Sequence, residues 1–192
     1  MADFGVISDV STSLVALLDQ DLRKPPLNAR AQLDDLSGSA PAGLTLTVTL
    51  YEILEDGPSR NRSRPQQPSG TAVLSTKPPM ALRLHYLLTP WGGDPATEQQ
   101  IVGRAMQALY DDSIFAGAEL LGGLQGSADT LKITLVPLTL EDRARVWYAI
   151  QKPYRLSVNY EVRVVNLDAT VEQRTEVVQS RAVDAALVEA QP

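Results

Sequence analysis

Pro78-Pro79-Met80-Ala81-Leu82-Arg83-Leu84-His85-Tyr86-Leu87-Leu88-Thr89 decides how the rest of the chain is read. Two prolines stiffen the approach, because each fixes φ and lacks an N–H. Apolar side chains then alternate and become continuous at Tyr86-Leu87-Leu88, and Trp91-Gly92-Gly93 turns the chain just beyond. Alternation marks a strand with one buried face, and a continuous apolar run marks burial on both. The stretch is therefore expected to be a central strand, covered on one face throughout and on both near its end.

On its N-terminal side, Leu44, Leu46, Val48 and Leu50 alternate with Thr45, Thr47, Thr49 and Tyr51, the pattern of a half-buried strand. Between the two strands lies a connection over residues 55–77 that carries Pro58, Pro65 and Pro68 together with Arg60, Arg62, Arg64 and Lys77. Unstructured connections beyond about 12–15 residues are functional or disordered in compact domains. Two readings follow, a flexible solvated loop or an arm that orders on a partner subunit.

On its C-terminal side, Asp94-Pro95 offers an N-cap and a first-turn proline for a helix whose buried stripe is Ile101, Val102, Ala105, Met106, Leu109 and Tyr110. Gly103 inside it suggests close packing on the sheet. Residues 113–121 are expected to hold a short helical piece, Gly122-Gly123-Leu124-Gln125-Gly126 a turn, and Leu131, Ile133 and Leu135 a strand ended by Pro137. Thr139 with Asp142 resembles a capping box opening a helix to about Ile150, with Val146, Trp147 and Ile150 inward. Tyr154 to Asp168 reads as the last long strand, with Leu156, Val158, Tyr160, Val162 and Val164 on one face and Ser157, Asn159, Glu161 and Arg163 on the other.

At the start of the chain, Ile7, Val10, Leu14, Leu17, Leu18 and Leu22 recur at helical spacing, with Ser8 or Asp9 as cap and Pro25-Pro26 as terminator. Residues 28–36 predict a weaker strand. From Ala169 the chain is more polar, with a short strand expected at 175–178 and a short amphipathic helix near 182–190. These elements make one α+β domain over residues 1–168, a mixed, mainly antiparallel sheet of four to five strands with three to four helices, followed by a tail over 169–192.

The 192 residues suffice for one domain with a sizeable core. A net charge of −6 argues against general nucleic-acid or anionic-membrane binding. With no cysteine, disulfides, thiol nucleophiles and cysteine-held metals are excluded. The N-terminus lacks a signal-peptide pattern and no window reaches the roughly 18 apolar residues of a membrane span, so a cytoplasmic protein is expected.

No chemistry is legible. The only histidine, His85, falls in the middle of the central strand, where a satisfied structural role is expected. The pairs Asp34-Asp35, Asp111-Asp112 and Glu141-Asp142 are neighbours in sequence, and such neighbours point apart on strands and helices. The glycine-rich run precedes a strand, whereas a phosphate loop follows one and opens a helix. No catalytic residue, cofactor site or metal site is assigned.

Several of these segments, taken in order, resemble the tail terminator or cap proteins of phage-tail-like contractile injection systems, which carry a domain long described as uncharacterised. The matching segments are Ile7-Ser8-Asp9-Val10 with its leucine helix, Leu50-Tyr51-Glu52 leading towards Arg60-Asn61, and Pro78–Thr89. Further on come Gly103-Arg104-Ala105-Met106-Gln107-Ala108-Leu109-Tyr110-Asp111, Leu135-Val136-Pro137-Leu138 with Trp147, and the run from Pro153 to Val165. The insertion at 58–68 departs from the pattern, and the tail after Ala169 is not matched.

The resemblance implies a non-enzymatic structural protein with a fold similar to phage tail terminators. It would assemble as a homohexameric ring on the distal end of the inner tube and sheath, end polymerisation and anchor the sheath during contraction. The implied partners are other copies of itself and the tube and sheath proteins of the same particle, with no nucleic acid and no insertion into a membrane. The particle would be assembled in the cytoplasm and then released or anchored to a membrane.

Residues expected to meet a neighbouring subunit, the tube or the sheath are Arg60, Asn61, Arg62 and Arg64 in the arm, with Trp91, Tyr110, Arg155 and Arg163. Arg174 and Arg181 join them in the tail, which is expected to dock on a neighbour's sheet edge. The alternative function is an adaptor that ties the particle to a membrane or host structure.

Overall fold

The computed structural model describes residues 3–60, 66–69 and 72–176. In chain order the elements are α1 (Val6–Leu22), β1 (Arg30–Leu33), β2 (Thr45–Glu55), β3 (Gln66–Ser69), β4 (Ala72–Thr76), β5 (Met80–Trp91), α2 (Pro95–Asp111), β6 (Ile114–Ala116), β7 (Thr130–Leu135), α3 (Leu140–Ala149), β8 (Val158–Leu167) and β9 (Glu172–Glu176). Two compact units emerge, residues 1–61 with 79–168 and residues 62–78 with 169–192.

The larger unit is built on a six-stranded sheet in the order β1-β2-β5-β8-β7-β6. Most of the Pro78–Thr89 stretch falls in β5, which lies inside the sheet between β2 and β8, antiparallel to both. Only β1 runs parallel, beside β2. The fold is thus the expected mixed, mainly antiparallel α+β class, with six strands rather than four or five and with three α-helices among the described residues.

One face of the sheet carries the main core. Leu46 and Val48 of β2, Leu82, Leu84, Tyr86 and Leu88 of β5, and Tyr160 and Val162 of β8 meet Val10, Leu14 and Leu18 of α1 and Ile101, Ala105 and Leu109 of α2. The Tyr86 hydroxyl is satisfied inside this layer by Ser11 Oγ at 2.8 Å. Burial pushes the phenol up to about 12, and the Ser11 hydrogen bond offsets part of that rise.

Several local expectations change. α1 starts at Val6 behind Gly5, with no side-chain cap, because Ser8 Oγ donates back to the Gly5 carbonyl and Asp9 is engaged elsewhere. The Asp9 carboxylate accepts the Gly123 N–H at 2.9 Å, and a Cβ on Gly122, whose φ is +65°, would lie 2.2 Å from Asp9 Oδ1. The glycine-rich run is therefore a turn tied to α1.

Within residues 113–121 the expected short helical piece is a single 3₁₀ turn at Gly117–Glu119, and it is preceded by a strand, β6, that the sequence reading lacked, since Ile114–Ala116 pair with β7. Gly103 is exposed with open space where a Cβ would stand, so it is not a packing glycine. A bulge opposite Leu82 and Arg83 inserts one residue into β8, which breaks the alternation expected to reach Val164 and brings Val165 inward.

The smaller unit holds a three-stranded antiparallel sheet in the order β3-β4-β9. Residues 66–69 and 72–76 of the 55–77 connection pair as antiparallel strands, and Glu172–Glu176 adds the third strand with Leu74 opposite Arg174. The helix expected near 182–190 lies outside the described residues.

Candidate functional site

The second face of the large sheet is polar although buried. Thr45, Thr47 and Thr49 of β2, Thr89 of β5, and Asn159 and Glu161 of β8 are all nearly inaccessible, as is Ser157 just before β8. Apolar cover is confined to Leu36, Leu87 and Trp147, backed by Tyr51, Trp91, Val146 and Ile150. Trp147, the buried residue of α3, is 2% exposed and donates Nε1–H to Ser157 Oγ at 3.1 Å. The helix itself is capped as the sequence predicts, with Thr139 Oγ1 accepting the Asp142 N–H at 3.1 Å.

At the β1 side of this face, the connector from β1 to β2, the end of β5 and the segment after α3 enclose a pocket of about 300 Å³. Leu36, Pro41, Trp91, Trp147, Pro153 and Tyr154 supply its apolar walls, and Asp34, Lys152 and Arg155 its charges. Arg155 stacks over Trp91 with its guanidinium carbon 4.2 Å from the ring centroid and pairs with Glu98 of α2. Trp91 Nε1–H donates to Thr47 Oγ1 at 3.0 Å, and Thr47 in turn donates to the Thr89 carbonyl, so the ring is fixed from both sides.

Towards the middle of the same face, His85 stands between two carboxylates, with Nε2 2.9 Å from Glu161 and Nδ1 3.0 Å from Glu52. Both ring nitrogens are thus engaged in holding β2, β5 and β8 together. Glu161 is also met by Arg163 and, at 3.5 Å, by Arg83. Burial favours its neutral form, but hydrogen bonds and charge from Arg163 and His85 outweigh burial and hold the carboxyl below its usual range. Tyr51 is pushed up to about 12 by burial and by the nearby Glu52 and Glu161 charges. Among the described residues no group of His, Asp and Glu side chains is arranged to hold a metal ion, and no helix is long and apolar enough to cross a membrane.

The structure brings Trp91 and Arg155 into direct contact and places Arg163 at the Glu161 cluster. Tyr110 is 84% exposed at the end of α2, which corrects its assignment to the buried stripe. Arg60 is exposed and 3.8 Å from Glu55, and Arg174 is exposed on β9. Asn61, Arg62, Arg64 and Arg181 lie outside the described residues. Trp147 is a core residue, as its inward place on the helix predicts. Leu36 and Lys152 complete the pocket, and Glu98 holds Arg155 from outside its lining; none of the three stands out in the sequence, and Asp34 does so only as half of an acidic pair. The signal that could have found them is Lys152-Pro153-Tyr154-Arg155, a cation-aromatic run straight after a helix.

No curated protein sequence matches the chain. Among solved structures, the chain is similar to the sheath/tube terminator of an extracellular contractile injection system, PVC, in its extended state, with a TM-score of 0.62 and 22% identity. It is also similar to the tube-terminating cap of the anti-feeding prophage, with a TM-score of 0.59 and 20% identity. Each likeness covers 96% of this chain but only 64% and 62% of the respective terminator chains, so the chain spans less than two thirds of their length. The sequence profile of the Pvc16 N-terminal domain matches residues 9–180, nearly the whole chain, and the protein belongs to that family.

Proposed function

We propose that the protein is a structural subunit of a contractile injection particle, a terminator that caps the inner tube and sheath. The observation that carries this reading is the likeness to two terminators over 96% of the chain, together with membership of the Pvc16 N-terminal domain family. In this reading six copies close into a ring on the tube end distal to the baseplate, end polymerisation and hold the last sheath layer while the sheath contracts. The role is non-enzymatic, which agrees with a pocket walled by tryptophan, tyrosine and proline and a histidine locked between two carboxylates.

A closed ring needs two different complementary patches on each subunit. Each contact is expected to bury about 800 Å² per partner. The tail after Ala169 is the further contact we assign to a neighbouring subunit. Electron microscopy of particles that lack this protein tests the function: over-long or unravelling sheaths are the expected result, and free particles of normal length would overturn it.

A further inference from the structure

α2 ends in a way that its own stability does not explain. Asp111 closes the helix, Asp112 follows at the C-cap, and the last turn holds no basic residue. Carbonyl groups concentrate negative charge at that end, so two carboxylates there are unfavourable. Neither has a basic partner among the described residues, and both are exposed beside Tyr110, which is also almost fully exposed. An aromatic side chain flanked by two unpaired acids, placed against local preference, marks a surface shaped for something else.

The missing complement is present at the other edge of the same sheet. Tyr110-Asp111-Asp112 leads into β6, one edge strand, while the pocket opens beside β1, the opposite edge. Its walls are aromatic, and at its rim Lys152 Nζ is held only by the Gly38 carbonyl at 2.8 Å, with no carboxylate partner among the described residues. Asp34, the acid in the lining, is turned to the Leu36 N–H at 2.6 Å. The pocket therefore offers an apolar slot with a cation free to pair. Phe4 is an exposed aromatic too, but the Asp3 carboxylate beside it is engaged by the Gly5 N–H.

We propose that Tyr110 of one copy enters the Trp91–Tyr154 pocket of the next, with Asp111 or Asp112 meeting Lys152, as a head-to-tail contact between opposite sheet edges. This rests on the ring assembly proposed above and names one contact of that ring. Because the contact joins two different patches, it repeats from copy to copy and closes only as a cycle. Tyrosine is among the residue types that anchor interfaces, and the flanking charges would set register and encounter rate.

The chain has no cysteine, so the variant D111C/K152C reports this contact alone. Asp111 ends α2, before the edge strand β6, whereas Lys152 follows α3 on the other face of the sheet, at the pocket beside β1, so a disulfide between them joins different copies. On mild oxidation of the full chain, assembled alone or with its tube and sheath proteins, we expect a ladder of covalent oligomers, while D111C or K152C alone stops at dimers. A ring of unchanged mass without the ladder would overturn the contact and leave the ring standing. No assembly of the unaltered chain under either condition would overturn the ring and the contact together. If the cysteine variants fail to fold, D111K/D112K decides: at least tenfold weaker assembly, recovered by adding K152E, supports the contact, and unchanged assembly overturns it.

Discussion

Under α1 and α2, the sheet presents Leu46, Val48, Leu84, Tyr86, Leu88 and Val162, and these join a continuous apolar cluster with both helices. Under α3 the same strands present Thr47, Thr49, Thr89, Asn159 and Glu161, with three buried apolar residues among them. Burial is similar on the two faces, but its energetic meaning is not. Each apolar side chain removed from water contributes about 1.5–3 kcal/mol. A buried hydroxyl or amide contributes only where it is paired, and leaving one unpaired costs about 1–3 kcal/mol. Thr47 and Ser157 are paired with the two tryptophans, whereas Thr49 Oγ1, Thr89 Oγ1 and both amide atoms of Asn159 have no protein partner. One face holds the fold together, and the other spends stability on a shaped polar layer beside the pocket.

That contrast can be broken most severely at Leu84, fully buried at the centre of the first face. Leu84→Asp is expected to prevent folding, since it places an unpaired charge in an apolar layer at a cost above about 5 kcal/mol. Soluble protein with a cooperative thermal transition would show that this face is not the core. Leu14→Ala, on the α1 side of the same cluster, should cost about 3 kcal/mol in denaturant unfolding.

On the second face, Glu161→Gln is expected to cost about 2 kcal/mol at neutral pH, the scale of hydrogen bonds to a charged group. The sign of the pH dependence follows from its lowered carboxyl. A group depressed in the folded state stabilises above the ordinary carboxylate range, and that stabilisation is lost as pH falls through the lower folded value. Unfolding curves of the unaltered protein should therefore weaken on acidification more than those of Glu161→Gln, and parallel curves would show that the Arg163 and His85 contacts do not hold it charged. The smallest effect is expected at Thr49→Val, which removes an unpaired hydroxyl at constant shape. Its stability should rise by about 1 kcal/mol; a loss would mean that the hydroxyl is satisfied.

The apolar face was legible because its signal is local: alternation in β5 and β2 and the leucine spacing of α1 each report burial from within a dozen residues. Caps were legible for the same reason at Asp94 and Thr139, whose side chains accept N–H groups two or three residues on. Asp9 was misread because its partner, Gly123, is remote in sequence. The polar face left no period to detect, since buried threonines look like exposed ones. The pairing of residues 72–76 with 172–176 is invisible to any window, as the strands are about a hundred residues apart. Of the pocket, Trp91 and Arg155 stand out in the sequence as interface candidates, but their stacking and the Glu98 pair depend on three separate elements meeting.

The one parallel pair in the sheet has a further consequence. Antiparallel neighbours can be joined by a tight turn, but β2 begins beside the start of β1, so the chain must travel back along the full strand before it can re-enter. The return path, residues 34–44, is what brings Leu36 onto Trp147 and Pro41 beside Trp91. Meanwhile the outer edge of β1 is closed to further strands where Asp19 takes the Ala31 N–H at 3.1 Å. A change in the length or sequence of that return path would leave the strand pairing in place and alter the wall of the pocket. Substitutions there would reshape the contact proposed above while the scaffold stays constant.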